Sequence, residues 1–320
     1  MPRAYAGAMP TPLALAVDFG GTKVEAALVD EHGTLLPGSR HRRPTGPTAT
    51  ADELDRSVRE VVEAALAALP ADAELVGAGI GSAGPIEVSM GRVSPLNVPA
   101  WREHPLRDRI IAILPETPVV LRIDGLCIAL AEHWVGAGAG ARGENLLGMV
   151  VSTGVGGGLV IGGRAVASPT GNGGHIGHVE VGGYDDPCTC GGRGCLEAIA
   201  SGPRTVAWAR TQGFAGTTGE DLARAHAAGD PVALAAVERA GTAIGHAIAS
   251  ATNLLDLDLV AIGGGFSRVS PVLFDHARTA VAERRGFAFA TRVEIVPSAL
   301  SDEGPLIGAA ALVHRPDLIV

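Results

Sequence analysis

Asp18-Phe19-Gly20-Gly21-Thr22-Lys23 follows directly on the apolar run Leu13 to Val17 and decides which fold is expected. The apolar run predicts a buried strand, and Lys23 to Val29 predicts the strand that pairs with it in a hairpin. The segment between them places a carboxylate at the end of a buried strand, and its glycines let the backbone approach a ligand closely. Phosphate is the natural ligand of such a turn. An ordinary glycine-containing β-hairpin remains the alternative for this segment alone.

The same pattern of strand, glycine-rich turn and strand returns near the middle of the chain. Leu146 to Val151 and Leu159 to Val166 predict the two strands, and Ser152 to Gly158 predicts the turn between them. This turn offers a run of backbone N–H groups with almost no side-chain bulk, which suits a polyphosphate. Because Val17-Asp18-x-Gly20 is matched by Val151-Ser152-x-Gly154, we expect a duplicated fold whose two hairpins face a shared cleft.

A third glycine-rich turn, Gly263 to Ser267, follows the apolar run Leu257 to Ile262 and would let a nucleotide base or ribose lie against backbone. Apolar segments alternate with Ala-rich helical stretches, as in α/β proteins whose sheets are covered by helices. We therefore expect two α/β lobes, residues 1–124 and 125–300, with a final helix in residues 301–320 returning to the first lobe. Helices are predicted at Ala51 to Leu69, Asp124 to Trp134, Val232 to Leu255 and Pro305 to Val313.

Composition and charge exclude several classes of protein. With 320 residues, 47% of them hydrophobic and 18% charged, the chain can bury a large core. A net charge of −9 and a pI near 5.6 oppose binding to nucleic acid or to anionic membranes, because such binding depends on clustered Lys and Arg. No apolar run approaches the roughly 20 residues that span a bilayer. We expect a cytoplasmic, globular protein with neither nucleic acid nor membrane as partner.

Three of the four cysteines crowd into eight residues, not far from a histidine. His178, Cys188, Cys190 and Cys195 offer one imidazole and three thiolates, a ligand set suited to tetrahedral Zn²⁺. Four protein ligands leave no open position for water or substrate, so we expect the zinc to be structural. Free buried thiols beside an unrelated histidine are the alternative. Cys127 lies apart on an apolar helix, where core packing explains it.

The order of these motifs resembles that of ROK kinases along the whole chain. The resemblance rests on Asp18 to Lys23, Gly79 to Pro85, Gly154 to Gly158, the cysteine cluster and Gly263 to Ser267. It implies an actin-like (ribonuclease H-like) two-lobed ATPase fold with duplicated βββαβα units, ATP and Mg²⁺ in the cleft, and a homodimer or homotetramer. The nucleotide-binding residues it indicates are Asp18, Gly20, Gly21, Thr22, Lys23, Thr153, Gly154, Gly156, Gly264 and Gly265. The helix-turn-helix of the family's repressors is missing, which favours an enzyme.

Asp124 is the expected catalytic base. In the family an Asp at the start of this helix accepts the proton of the attacking sugar hydroxyl, and Arg122-Ile123-Asp124-Gly125-Leu126 matches that position. A helix N-terminus keeps a carboxylate ionised, and phosphoryl transfer needs mainly a group that orients the nucleophile and takes its proton late. A simple N-cap Asp is the alternative.

The same resemblance indicates which residues bind the acceptor. Asn97, Glu197 and His178 match positions that contact the sugar in relatives, although Asn97 could be a turn residue and Glu197 a solvated carboxylate. Two other positions depart from the family. Ile123 stands where most relatives have Asn, and His175 stands where they usually have Glu. Losing a buried hydrogen-bond partner costs on the order of 1–3 kcal/mol, so these changes are expected to retune the pocket.

The sequence thus predicts an ATP-dependent kinase that phosphorylates a primary hydroxyl of a hexose or of a hexose-like polyol, C7-cyclitols included. Relatives that phosphorylate cyclitols need not bind an anomeric hydroxyl, which fits the changes at Ile123 and His175. The alternative is a non-catalytic sugar or nucleotide sensor that keeps the fold and the zinc site.

Overall fold

In the computed structural model, residues 10–140, 142–284, 286–300 and 302–319 are described. A first sheet of five strands has the order β3-β2-β1-β4-β7. In it β1 runs antiparallel to β2 and parallel to β4, β2 is antiparallel to β3, and β4 is parallel to β7. The strands are β1 Thr11–Phe19, β2 Lys23–Asp30, β3 His41–Pro44, β4 Ala73–Ser82 and β7 Val119–Ile123; the short pair β5 Ile86–Glu87 and β6 Arg92–Val93 stands apart.

A second sheet repeats this topology with the order β10-β9-β8-β11-β12. Its hairpin β8–β9 is antiparallel, β10 pairs antiparallel with β9, and β11 and β12 add parallel strands on the other side of β8. The strands are β8 Leu146–Val151, β9 Val155–Ile161, β10 Arg164–Ala165, β11 Leu259–Gly263 and β12 Glu294–Pro297. The prediction of a duplicated α/β fold of the actin-like type is confirmed, because both sheets have the same strand order and directions.

Nine helices cover the two sheets within the described ranges. They are α1 Ala51–Leu66, α2 Leu106–Ile111, α3 Asp124–Trp134, α4 Leu196–Ala200, α5 Gly202–Thr211, α6 Gly219–Ala227, α7 Pro231–Leu255, α8 Val272–Ala282 and α9 Gly304–His314. Helix α1 begins with a capping box between Thr50 and Glu53 and packs on the first hairpin. Helices α4, α5, α6 and α8 all pack on α7. None of the helices in these ranges is long and apolar enough to cross a lipid bilayer.

Residue size along β1 determines which helix covers each of its faces. Leu13, Leu15 and Val17 belong to the large core that includes α1, whereas Ala14 and Ala16 face α9 in a separate small cluster. Alternate side chains of a strand point to opposite faces, so the alanines give α9 a shallow surface to approach.

The chain passes between the two sheets twice. Strand β7 belongs to the first sheet, yet α3, which follows it, packs on β8 and β9 of the second. Strand β12 belongs to the second sheet, and α9, which follows it, packs on β1 and β4 of the first and on α3. The lobe limits given above, 1–124 with 301–320 and 125–300, stay a prediction; their residues 1–9, 141, 285, 301 and 320 lie outside the described residues.

The structure corrects one sequence prediction around the second turn. Strand β9 already begins at Val155, so Gly156, Gly157 and Gly158 lie in a strand and the turn is confined to residues 152–154. A Cβ added to Gly158 would collide with the backbone carbonyl of Gly125 in α3. Gly158 therefore lets α3 approach the sheet closely, because any side chain there would push the helix away.

Candidate active site

A cleft of about 680 Å³ lies where the two sheets face each other. The predicted residues that line it are Asp18, Gly20, Gly21, Thr22, Lys23, Asn97, Asp124, Thr153, Gly154, Gly156, His175, His178, Glu197, Gly264 and Gly265. Three glycine-rich turns far apart in sequence thus meet on one space. The structure brings all the predicted nucleotide and acceptor residues together, and the three cysteines cluster beside it with His178.

Asp18 lies near the end of β1 and is only 6% exposed. Burial, and next the negative charge of Asp124, raises the pKa of Asp18 to about 7, and Lys23 partly opposes this. The turn that follows is closed by Gly20 N–H, which donates to the Lys23 carbonyl at 2.9 Å. Thr45 holds it from outside, since its hydroxyl donates to the Gly20 carbonyl at 2.8 Å. Two buried carboxyl groups close together in an open cleft suit a cation or a proton.

A buried ion-pair cluster beside this turn escaped the sequence analysis. Glu25 on β2 is 1% exposed and accepts from Lys23, Arg40 and Arg42, and Arg40 also pairs with Asp302 at 2.9 Å. Burial by itself would raise the pKa of Glu25, but the hydrogen bonds from Lys23 and Arg42 outweigh it and hold that pKa below its ordinary value. Glu25 lies opposite Arg42 in the β2–β3 pairing, a signal that appears only once the register is known.

Asp124 is the first residue of α3, and Ile123 occupies the N-cap position. One carboxyl oxygen of Asp124 accepts the Gly125 N–H at 2.7 Å. Burial raises the pKa of Asp124 to about 6 against the opposing effect of the backbone N–H groups, and the negative charge of Glu197 contributes to the rise. A carboxylate with this pKa can take a proton near neutral pH.

Glu197 and Asn97 connect the two hairpin turns. The Val155 N–H donates to Glu197 Oε2 at 2.9 Å, which fixes this carboxylate against the start of β9. A Cβ placed on Gly154 would lie 2.6 Å from Glu197 Oε2 and 4.0 Å from Asn97 Nδ2. A Cβ placed on Gly21 would lie 3.1 Å from the Asn97 Cβ. The two polar side chains therefore occupy the space directly between the turns.

The two positions that depart from the family pattern, Ile123 and His175, lie next to each other. A Cβ placed on Gly84 would meet Ile123 Cδ1 at 2.8 Å and the His175 ring at 3.4 Å. The rings of His175 and His178 are 5.7 Å apart. Burial, together with the nearby His178, lowers the pKa of His175, which keeps its imidazole neutral. This wall of the cleft thus combines an alkyl group with a neutral ring.

The third turn holds the predicted residue Gly264, and the base of the cleft adds residues that the sequence analysis did not assign. Gly264 has φ +98°, and a Cβ there would lie 2.5 Å from the Val151 carbonyl oxygen, so the turn requires glycine. Glu132 of α3 is 1% exposed and accepts from the Ser298 hydroxyl and, at 2.8 Å, from the Ala137 N–H. Arg268 also lines the cleft. Glu132, Ser298 and Arg268 share no sequence motif that could have identified them.

His178, Cys188, Cys190 and Cys195 form a compact cluster whose ligand atoms all lie within 4.8 Å of one another. Cys190 Sγ and Cys195 Sγ are 3.7 Å apart, and Cys188 Sγ lies 3.7 Å from His178 Nδ1. Zn–S bonds of about 2.3 Å in a tetrahedron place two sulfurs about 3.8 Å apart, so the donors fit a zinc ion. His178 is the one member of this cluster that also lines the cleft.

Comparison of this chain with known proteins identifies a single family to which it is similar. The profile of the ROK family matches residues 14–316. A glucokinase of Thermotoga maritima is 32% identical, with 96% of this chain and 99% of that protein covered. An N-acetylmannosamine kinase of Yersinia pseudotuberculosis is 30% identical over 92% of this chain and 96% of that protein. The crystal structure of a ROK family glucokinase from Streptomyces griseus with glucose and AMPPNP matches with TM-score 0.80 and 28% identity, covering 95% and 99% of the two chains.

Proposed function

This chain belongs to the ROK family, and on that premise we propose that it is an ATP-dependent sugar kinase acting on the primary hydroxyl of a hexose or hexose-like polyol. The glucokinases and the N-acetylmannosamine kinase among its relatives support a sugar as the acceptor class. The observation that carries the proposal is the placement of Asp124. Its carboxyl stands at the start of α3, in the cleft between the turns of both sheets, with a pKa of about 6.

Each group of cleft residues has a distinct task in this proposal. Asp124 accepts the proton of the attacking hydroxyl, and general-base catalysis of this kind raises the reaction rate by roughly 10²–10⁴-fold. Residues 18–23 of the first hairpin and residues 152–156 of the second hold the phosphates through backbone N–H groups and Lys23, and Gly264 and Gly265 lie against the nucleoside. Asp18 would hold Mg²⁺, and the bound ion would supply positive charge that offsets the charge of the transferring phosphoryl group. Asn97, His175, His178 and Glu197 bind the acceptor.

A screen of ATP consumption tests this function. Glucose, mannose, N-acetylmannosamine, linear polyols and C7-cyclitols are offered with Mg-ATP to the protein and to Asp124→Asn. We expect turnover of at least one acceptor by the wild type, greatly reduced in the variant. Turnover of none, together with retained nucleotide binding, would favour a non-catalytic sugar or nucleotide sensor. Equal turnover by both proteins would show that the base lies elsewhere.

The wall formed by Ile123 and His175 supports an acceptor other than glucose. An alkyl group and a neutral imidazole offer fewer and weaker partners to sugar hydroxyls than an amide and a carboxylate, and each missing partner costs about 1–3 kcal/mol. A C7-cyclitol, which lacks an anomeric hydroxyl, is the acceptor that we propose for this wall. In the double variant Ile123→Asn, His175→Glu we expect the ratio of kcat/KM for glucose to that for the native acceptor to rise. An unchanged ratio would remove this part of the proposal.

We also propose that the His178 cluster holds one structural Zn²⁺ per chain, since the sulfur spacing fits a tetrahedral site. Metal analysis of the purified protein should find about one zinc, and Cys188→Ser should lose it. Closing a loop of about this length, residues 178–195, is worth on the order of 3 kcal/mol in the chain-entropy picture, so the melting temperature should fall. Cys127→Ser, which changes the buried cysteine outside the cluster, is the control for metal content. Assembly as a homodimer or homotetramer and a cytoplasmic location stay predictions.

A further inference from the structure

The loop that carries the three cysteines leaves the cleft and returns to it. His178, at its start, lines the cleft, and Glu197, two residues after Cys195, lines it again. The two arms of the loop pair at Glu180 with Cys195 and at Pro187 with Arg193. Glu197 itself sits on α4, a helix of five residues. So short a helix has little stability of its own, and the position of its carboxylate depends on what holds α4 from outside.

Arg239 of α7 contacts both sides of this loop. Its Nη2 donates to Asp186 Oδ2 at 2.6 Å, before the cysteines, and its Nη1 donates to the Ile199 carbonyl of α4 at 3.4 Å, after them. The guanidinium lies 5.1 Å from the Tyr184 ring centroid and 5.2 Å from that of Trp208 on α5. The side chain is 15% exposed. Two rings and two hydrogen bonds leave the guanidinium little freedom to move.

We propose that Arg239 is a positioning residue that holds α4, and through it the Glu197 carboxylate, against the start of β9. The chain of contacts runs from Arg239 to the Ile199 carbonyl, along α4 to Glu197, and from Glu197 Oε2 to the Val155 N–H. Asp186 joins the same chain from the other arm, because its carbonyl accepts the Gly194 N–H at 2.9 Å. That Glu197 binds the acceptor rests on the proposed function; that Arg239 fixes its place does not.

Arg239→Met tests the proposal, because Met keeps much of the alkyl stem and removes the guanidinium. Arg278→Met is the matched control: Arg278 also lies over a ring, that of Phe274 at 5.8 Å, pairs with Asp275 at 2.9 Å and donates to a backbone carbonyl, that of Ile295. It joins α8 to β12, away from α4. Arg239→Lys is the milder second variant, which keeps the charge and loses the planar fork.

Amide hydrogen exchange gives a readout that needs no acceptor. In Arg239→Met we expect faster exchange confined to residues 153–157 and 196–201, and in Arg278→Met no change in either segment. Unchanged exchange in these segments would overturn the proposal, and so would a uniform rise over the whole second sheet, because that indicates a general loss of stability. This arm can be interpreted even if the protein proves not to be a kinase.

Kinetics with glucose as probe give the second readout. We expect KM for glucose to rise roughly tenfold in Arg239→Met while KM for ATP stays within about twofold. If Arg239 acts through Glu197, adding Arg239→Met to Glu197→Gln should raise the glucose KM little further. Additive effects in this double-mutant cycle would show that Arg239 acts by another route. If glucose is not turned over, the exchange result alone decides.

Discussion

The two sheets share one strand order, yet they present different chemistry to the cleft. In the first sheet β1 carries Asp18 and β7 leads into Asp124, both buried carboxyl groups with raised pKa values. At the corresponding places of the second sheet, β8 leads into Ser152 and β12 into Ser298. Both sets line the same cleft. The comparison shows that the two copies of a duplicated unit can supply different chemical groups to one cleft. One copy supplies charge, and the other supplies hydroxyls and bare backbone.

The same contrast holds for the two hairpins. The first hairpin carries Lys23 and Glu25 and is tied to Arg40 and Arg42 by ion pairs. The second hairpin carries glycines near the start of β9, and α3 packs closely against the backbone of Gly158. The first hairpin thus depends on electrostatics and the second on close packing, so substitutions in the two should fail in different ways.

The largest expected effect is the loss of kcat on substituting Asp124, compared with the small loss on substituting Ser298. Asp124→Asn should lower kcat by about 10²–10⁴-fold and leave KM for ATP nearly unchanged, because the amide keeps the shape of Asp but cannot take a proton. Wild-type kcat/KM for the acceptor should also fall as the pH drops through about 6, the pKa of Asp124. Steady-state kinetics measure both. Ser298→Ala, at the matching place in the second sheet, should cost less than tenfold, and a kcat for Asp124→Asn above a tenth of the wild-type value would contradict this difference between the two copies.

The next effect concerns stability and pH in the first hairpin. Removing one partner of a buried ion pair typically costs 3–5 kcal/mol, and since the cations here are partly exposed we expect about 3 kcal/mol for Glu25→Gln by urea unfolding at pH 7. The folded pKa of Glu25 lies below its ordinary value of 4.5. Its contribution is therefore complete above pH 4.5 and is lost as the pH falls through the folded pKa.

Two comparisons check the role of Glu25. In Glu25→Gln the loss of stability between pH 5 and pH 3 should be smaller than in the wild type, since the titrating group is gone. Glu60→Gln removes the exposed partner of Arg43, the residue after Arg42 on β3, where a surface pair at 2.8 Å should be worth less than about 1 kcal/mol. Equal losses in the two variants would mean that burial of the Glu25 cluster adds nothing.

The second hairpin should respond to added volume instead. In Gly158→Ala the new methyl group meets the Gly125 carbonyl of α3, and overpacking of this kind costs roughly 1–3 kcal/mol in the free energy of unfolding. Gly156→Ala is the matched variant in the same strand, because its nearest neighbour would be a Val150 methyl at 3.3 Å. It should affect nucleotide binding more than unfolding. The opposite pattern would restore the original interpretation of these glycines as a phosphate-binding turn.

The smallest effect compares the matching residues Asp18 and Ser152. Asp18→Asn should weaken the dependence of ATP binding on Mg²⁺, with a loss of about tenfold in Mg-ATP affinity, or about 1.4 kcal/mol. Calorimetry with and without Mg²⁺ measures this. Ser152→Ala should leave the magnesium dependence intact. If both variants keep it, the cation is held by groups other than Asp18.

The sequence predicted the strands and turns well because each is determined locally. Apolar runs such as Leu13 to Val17 ended where glycines followed, and α3 began and ended at the predicted residues, Asp124 and Trp134. The errors concern where an element ends. The end of α1 lies at Leu66 rather than Leu69, and Leu159 to Val166 is divided between β9 and β10 by a turn at Gly162 and Gly163.

Within the cleft, motif residues could be predicted and their partners could not. Each glycine-rich turn is continuous in sequence, so its residues were found together. Glu25 is paired with Arg40 and Arg42 only because of the strand register. Glu132 is hydrogen-bonded to Ser298 only because α3 packs near the end of β12. Likewise, Gly158 looked like a ligand-binding glycine because nothing in the sequence shows that Gly125 will lie against it.

The position of α9 bears on how the protein can be made. Leu306, Ala309 and Ala310 of this helix bury the alanine face of β1, although some 290 residues separate the two elements. A ribosome that has released the first sheet has therefore not yet produced the helix that covers one of its faces. Until then that face stays exposed. Nascent chains stopped before residue 304 should consequently depend on chaperones that shield apolar surface.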